Sequence, residues 1–111
     1  MLKEKVDKLV DKYLDEVISI RRYLHQNPEL SLKEFETSKF VANELRKIGL
    51  EAQEGVGKTG VVSNLNLGKG EKTLMLRADM DALPIQEETG LPFSSKNPGV
   101  MHACGHDIHT S

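Results

Sequence analysis

Apolar side chains recur at three- and four-residue intervals near the start of the chain: Val6, Leu9, Val10, Tyr13, Leu14, Val17, Ile18, then Ile20 to Leu24. That spacing lays one apolar stripe along a helix and predicts an amphipathic α-helix over about Leu2–His25. The stretch "QNPEL" ends it, because Pro28 disfavours helical geometry in the residue before it. "SLKE" then reads as a capping box, with Ser31 as the cap and Glu34 reaching back to it. A second helix follows, with Phe35, Val41, Leu45 and Ile48 inward and Gly49 as its stop.

The period then changes. "GVVSNLNL" puts Val61, Ser63, Leu65 and Leu67 on one face and Val62, Asn64 and Asn66 on the other, which predicts a strand. "GKGE" is a turn, and the short apolar run in "KTLMLRADM" predicts a second, more buried strand. From Asp81 to Met101 the chain is rich in Pro, Gly, Ser and Glu and reads as loop. Helix, helix, strands, loop is an α/β order with no repeat or linker to divide it. Sites in α/β sheets gather beyond the carboxyl ends of strands. "ADMD", where the "LMLR" strand should end, and the terminal "MHACGHDIHTS" are therefore expected at one edge of one sheet.

Composition narrows the function classes. At 111 residues the chain makes at most one domain. A net charge of −2, from 15 basic and 17 acidic residues, gives no reason to expect nucleic acid or a membrane surface as partner. No apolar run approaches the roughly 20 residues of a membrane span. The start, "MLKEKVDKLVDKYLDEV", alternates charged with apolar residues and has no signal-peptide core. One cysteine cannot form an internal disulfide. The expectation is a soluble cytoplasmic protein whose lone thiol stays available as a ligand.

That thiol sits in the densest chemistry of the chain. His102, Cys104, His106 and His109 fall within the last ten positions. Cys104 and His106 can converge on one ion if the backbone bends at Gly105. Thiolate with imidazole suits zinc or another first-row transition metal far better than magnesium or calcium. The competing reading is a buried, inert Cys104 among ordinary surface histidines. Asp79 and Asp81 share a face of a strand and suit either a metal or the orientation of a ligand imidazole; a solvated strand end is the plainer alternative. For His102, Asp107 and His109 a hydrogen-bonded structural or supporting role is expected. His25, four residues after Arg21, reads as a helix-end histidine favoured by the helix dipole. Glu87 and Glu88 are general bases by chemistry but are expected to be solvated. "GVGKTG" is not a phosphate loop, because Ala52 stands where the first glycine belongs.

"RRYLHQNPELSLKEFET", "GKTGVV" and "LRADMDALPIQEETGLPFSSKNPGVMHACGHDIHT" together resemble the start of a metal-dependent amidohydrolase of the aminoacylase and hippurate hydrolase type. This zinc-peptidase-related family includes the plant auxin-conjugate hydrolases, and the resemblance runs from about Arg21 to Ser111. It implies that residues 1–111 are the N-terminal portion of a mixed-sheet, zinc-exopeptidase-like catalytic domain. The rest of that domain, and a lid or dimerisation domain that would make the full-length protein a homodimer, would lie outside these residues. It also implies two divalent metal ions, zinc or manganese foremost with cobalt or nickel open. The implied reaction hydrolyses an N-acyl amino acid to a carboxylic acid and a free amino acid with a metal-activated water.

Carried over position by position, Cys104 and His106 correspond to metal ligands, with Cys104 placed to bridge both ions. Asp81 keeps a supporting catalytic position. Related branches have a metal-binding histidine where this chain has Asp79, so Asp79, Asp107 and His109 are assigned supporting places. The family's general-base glutamate lies in a Glu-Glu pair further downstream. The resulting expectation is that the full-length protein is active and this portion alone is not. Two other readings remain. One is a small metal-binding module without hydrolase activity, completed by Asp79, Asp81, His109 or a second subunit. The other is a remnant with an unfinished core.

Overall fold

The computed structural model describes residues 1–111. The apolar stripe produces the first helix, α1, over Leu2–Gln26. At its end the Asn27 amide donates to the Tyr23 and Leu24 carbonyls, and Pro28 lies fully buried just beyond. The second helix, α2, spans Phe35–Lys47. Its C-terminus closes as expected at Gly49, whose φ of 92° is the left-handed geometry a side chain would resist. The Gly49 amide donates to Arg46 O and the Leu50 amide to Leu45 O, each at 3.0 Å. These two bonds satisfy carbonyls that the helix end would otherwise leave open.

The other end of α2 corrects the sequence reading. Ser31 does not cap the helix and the Ser31–Glu34 box does not form; α2 starts four residues after Ser31, with Glu34 itself as its N-cap residue. The carboxylate that accepts the first amides comes from Glu29: its oxygens take Glu36 N at 3.2 Å and Thr37 N at 2.6 Å. Glu34 turns the opposite way. It accepts from Leu32 N at 2.7 Å and from Thr59 Oγ1, and Ser38 Oγ donates to Thr59 O. A helix N-terminus attracts a carboxylate by its free amides and its dipole. Glu29 reaches those amides from before the turn, which frees Glu34 to tie α2 to the hairpin.

That hairpin is the only sheet: β1 (Gln53–Val56) pairs antiparallel with β2 (Gly60–Val62). β1 lay outside the predicted strands. β2 realises only the first part of the predicted "GVVSNLNL" strand, and from Ser63 to Asp81 the chain forms neither helix nor strand. The buried strand expected over "KTLMLRADM" is likewise absent, with Leu74, Met75 and Leu76 exposed by 80–87%. A strand exists through its ladder to a neighbour, and nothing within these residues pairs with this segment. The Asp81–Met101 region is loop, as expected, pinned by single bridges from Ala82 to Leu30 and from Leu83 to Met101. A short third helix, α3, runs His106–Thr110.

The buried set is small and mostly polar. Leu24, Ala42, Ala82 and Val100 are its hydrophobic members, against His25, Glu34, Thr37, Ser38, Thr59, His102 and Asp107. Most of the apolar stripe of α1 faces solvent, and the radius of gyration is 15.6 Å. A compact domain of this length would measure about 13 Å. No helix is long and apolar enough to cross a membrane.

If Glu29 is the working cap of α2, Glu29→Ala should lower unfolding free energy by roughly 1–2 kcal/mol. Ser31→Ala should stay within about 0.5 kcal/mol of the parent. Urea unfolding followed by circular dichroism measures both. Equal losses would return the cap to Ser31.

Candidate metal centre

Gly105 takes φ 95°, so the chain bends between Cys104 and His106 as expected, but the bend does not bring the two side chains into one metal-holding group. It turns the chain into α3 and sends the two side chains to different surroundings. Cys104 is exposed with a free thiol. His106 turns to the aspartate segment, where Nδ1 lies 2.9 Å from Asp81 O and 3.0 Å from Asp81 Oδ1. Both neighbours are acceptors, so Nδ1 carries the proton and a neutral ring keeps Nε2 as its lone-pair nitrogen. Nε2 faces the half-exposed Asp79 carboxylate at 3.9 Å. Thr110 Oγ1 donates to Asp79 O at 2.7 Å, a second tie between α3 and the same segment. The two motifs meet as expected, though beside irregular chain rather than at a sheet edge.

Behind this pair lies a buried charge network. Asp107, next to His106, is 1% exposed. Its Oδ2 accepts from Arg21 Nε at 3.0 Å and from His25 Nδ1 at 2.7 Å. His25 Nε2 lies 3.0 Å from Glu87 Oε1. Ionised carboxylates only accept, so with one on each side both ring nitrogens of His25 donate. Glu87 also accepts from Thr89 Oγ1 and, at 2.8 Å, from Ser95 N. Two cationic and two anionic side chains thus offset one another in the interior. Phe93 closes the outer side, with the Arg21 and Arg22 guanidinium carbons 5.3 and 4.8 Å from its ring centre.

Two expectations are corrected here. His25 lies in the last turn of α1, as expected, but side-chain partners rather than the dipole alone hold it there, because it is 2% exposed and bonded on both nitrogens. Glu87 is not solvated, because its side chain is 2% exposed; Glu88 is exposed, as expected. Burial alone would raise the Glu87 pKa. The hydrogen bonds from Thr89, Ser95 and His25, and the His25 charge, outweigh it and hold the pKa at about 2. The signal in the sequence was the Arg21–His25 pair, two basic residues one turn apart just before the helix-ending proline. Its acidic partners lie too far along the chain for any local pattern to name.

His102 is buried, and neither ring nitrogen has a hydrogen-bond partner. Burial, the largest influence, pushes its pKa down, and the carboxylates of Asp107 and Asp81 oppose the shift without reversing it. His109 is exposed and makes no side-chain hydrogen bond within these residues. No three His, Cys, Asp or Glu side chains converge into a group able to hold a metal ion. Of the donors present, only His106 is oriented as a metal ligand would be. His106 is clamped at Nδ1 with Nε2 bare, which is how protein metal sites orient a histidine, and a free thiol stands two residues away.

Comparison with known proteins gives one consistent family. Residues 75–111 match the family described as Peptidase family M20/M25/M40. Thermostable carboxypeptidase 2 of Saccharolobus solfataricus is 54% identical over 111 residues, which are 99% of this chain and 28% of that protein. N-acyl-L-amino acid amidohydrolase of Geobacillus stearothermophilus is 49% identical over 111 residues, covering 100% of this chain and 30% of that protein. A solved Bacillus subtilis protein, YXEP, described as a dinuclear metal-binding peptidase of the M20 family, superposes with a TM-score of 0.79 at 45% identity. That superposition covers 90% of this chain and 28% of the other. The chain therefore spans under a third of the length of the relatives it matches.

The Glu87 shift fixes a direction for acid unfolding. Its folded pKa of about 2 lies below the ordinary 4.5. Its contribution is therefore complete above pH 4.5 and is lost as pH falls toward 2. Glu87→Gln should flatten the stability–pH curve in that window, as measured by urea midpoints at successive pH values. An unchanged acid limb would mean that Glu87 is not held in the buried network.

Proposed function

We propose that this chain, which belongs to the M20/M25/M40 peptidase family, supplies part of a two-metal centre that hydrolyses the amide of N-acyl amino acids. The observation that carries the reading is the Asp81–His106 clamp, with Nε2 bare and the Cys104 thiol two residues away. Cys104 and His106 are the proposed ligands. Asp81 orients His106. Asp79 and Asp107 support the ligand turn, and His109 is a further supporting candidate. When bound, divalent ions of this kind lower the pKa of a water and polarise a carbonyl.

The substrate class follows from the relatives' names taken together. A carboxypeptidase and an N-acyl amino acid hydrolase both cut the amide that joins an acyl group to an amino acid with a free carboxylate. One site can therefore serve both, with the acyl side setting the preference. The reading assigns the activity to the whole protein. A catalytic zinc normally takes three protein ligands plus water, and no three donors converge within these residues. The 111 residues alone are thus proposed to be inactive. Zinc and manganese are the metals favoured, and a small metal-binding module without turnover is the alternative.

A panel of N-acyl amino acids and dipeptides, assayed with the full-length protein and with residues 1–111, tests this reading. Turnover by the full-length protein should disappear on chelation and return with zinc or manganese. Asp81→Asn should lower it by roughly 10–100-fold. Metal-dependent turnover by the 111 residues alone would overturn the assignment of activity to the longer protein. Stoichiometric metal binding without turnover in either form would favour the module.

A further inference from the structure

α3 has only five residues and starts from a left-handed glycine. A helix this short cannot hold its own geometry, since even isolated helices of about 12 residues are marginal. The direction of His106 must therefore come from what holds α3 at its sides. On the outer side are His106 itself, bonded to Asp81, and Thr110, bonded to Asp79. On the inner side there is one tether to α1, the Asp107 carboxylate. Arg21 donates to it from a side chain 28% exposed, through a single N–H. His25 donates to it from a side chain 3% exposed, at the shorter distance of 2.7 Å. Glu87 fixes His25 from behind, and the 89–95 loop fixes Glu87 through Thr89 and Ser95.

We propose that His25 is a positioning residue for the ligand turn: through Asp107 it holds α3 against α1 and so aims His106 at Asp81 with Nε2 free. The relay runs Glu87–His25–Asp107, and the last link is covalent, one peptide bond from Asp107 to His106. Asp107 and His106 are consecutive in α3, so their side chains leave the helix roughly 100° apart and rocking it about either tether moves the other. The functional consequence rests on His106 being a metal ligand, as proposed above. The geometric claim does not.

The test uses the full-length protein labelled with ¹⁵N-histidine and stripped of metal, with the His106 signals assigned by substitution. Long-range ¹H–¹⁵N spectra report which ring nitrogen of His106 carries the proton. The parent should show a fixed Nδ1–H tautomer. His25→Gln alone leaves two buried carboxylates facing one cation, so it is combined with Glu87→Gln to keep the interior neutral. In this double variant His106 should shift to mixed tautomers while circular dichroism still reports the parent's helix content. Glu29→Ala, which removes the side-chain cap of α2 but leaves the backbone bond from Ala82 N to the residue-29 carbonyl in place, should leave the His106 signals in place. Unchanged His106 signals in the folded double variant would overturn the proposal. So would an equal change in Glu29→Ala, which would reduce His25 to a general contributor to stability. Cobalt binding, read from the thiolate charge-transfer band, forms a separate arm, and the double variant should weaken it roughly 10–100-fold. A full-length parent that shows the fixed tautomer but binds no cobalt would sink the metal reading and leave the positioning claim standing.

Discussion

One carboxylate, Asp107, joins the two ends of this chain. Its Oδ2 receives Arg21 and His25 from α1, more than eighty residues earlier, and its backbone belongs to the helix that opens with His106. An unpaired buried carboxylate would cost far more than a neutral polar group. With two donors aimed at one oxygen, the folded arrangement is the one in which that charge is offset. Each side of the pairing makes sense only with the other present, so the position of α1 and the aim of the ligand turn are one problem with one solution.

Polar pairing carries an unusual share of the organisation. The buried set holds more polar and charged side chains than hydrophobic ones. Glu34 shows the same logic on a smaller scale, tying the Leu32 amide and the Thr59 hydroxyl into the joint between α2 and the hairpin. Such pairs are directional, and they give position more readily than they give bulk stability. The apolar stripe of α1 and the segment around Leu74–Leu76 remain open to solvent. These are the surfaces whose burial would contribute most to stability.

At the candidate centre, geometry sets the chemistry of a single ring. Asp81 offers two acceptors to Nδ1 of His106 and so leaves Nε2 as the donor nitrogen. The resemblance gave Asp81 a supporting place beside a histidine at position 79, which is absent here; the imidazole that Asp81 contacts is instead His106. Asp79, standing where related branches have a histidine, faces the same Nε2 from 3.9 Å with a carboxylate in its place. His102 adds a buried imidazole with two unmatched nitrogens beside this arrangement.

What the sequence determined by itself was local. The apolar spacing of residues 6–24 specified α1, Pro28 its end and Gly49 the end of α2, because helix periodicity, proline sterics and left-handed φ act within a few residues. The terminal motif marked Cys104, Gly105 and His106 by residue type and spacing. The tertiary structure decided everything that needed a distant partner. The "KTLMLRADM" segment has strand composition but no strand to pair with. Ser31 has cap chemistry but loses the amides to Glu29. His25 looked like an ordinary helix end and became the centre of a buried relay, because Glu87 and Asp107 reach it only after the chain has folded back on itself. Hydrogen bonds and charge pairs depend on distance in space, and a linear pattern carries that information only where neighbours in sequence are also neighbours in space.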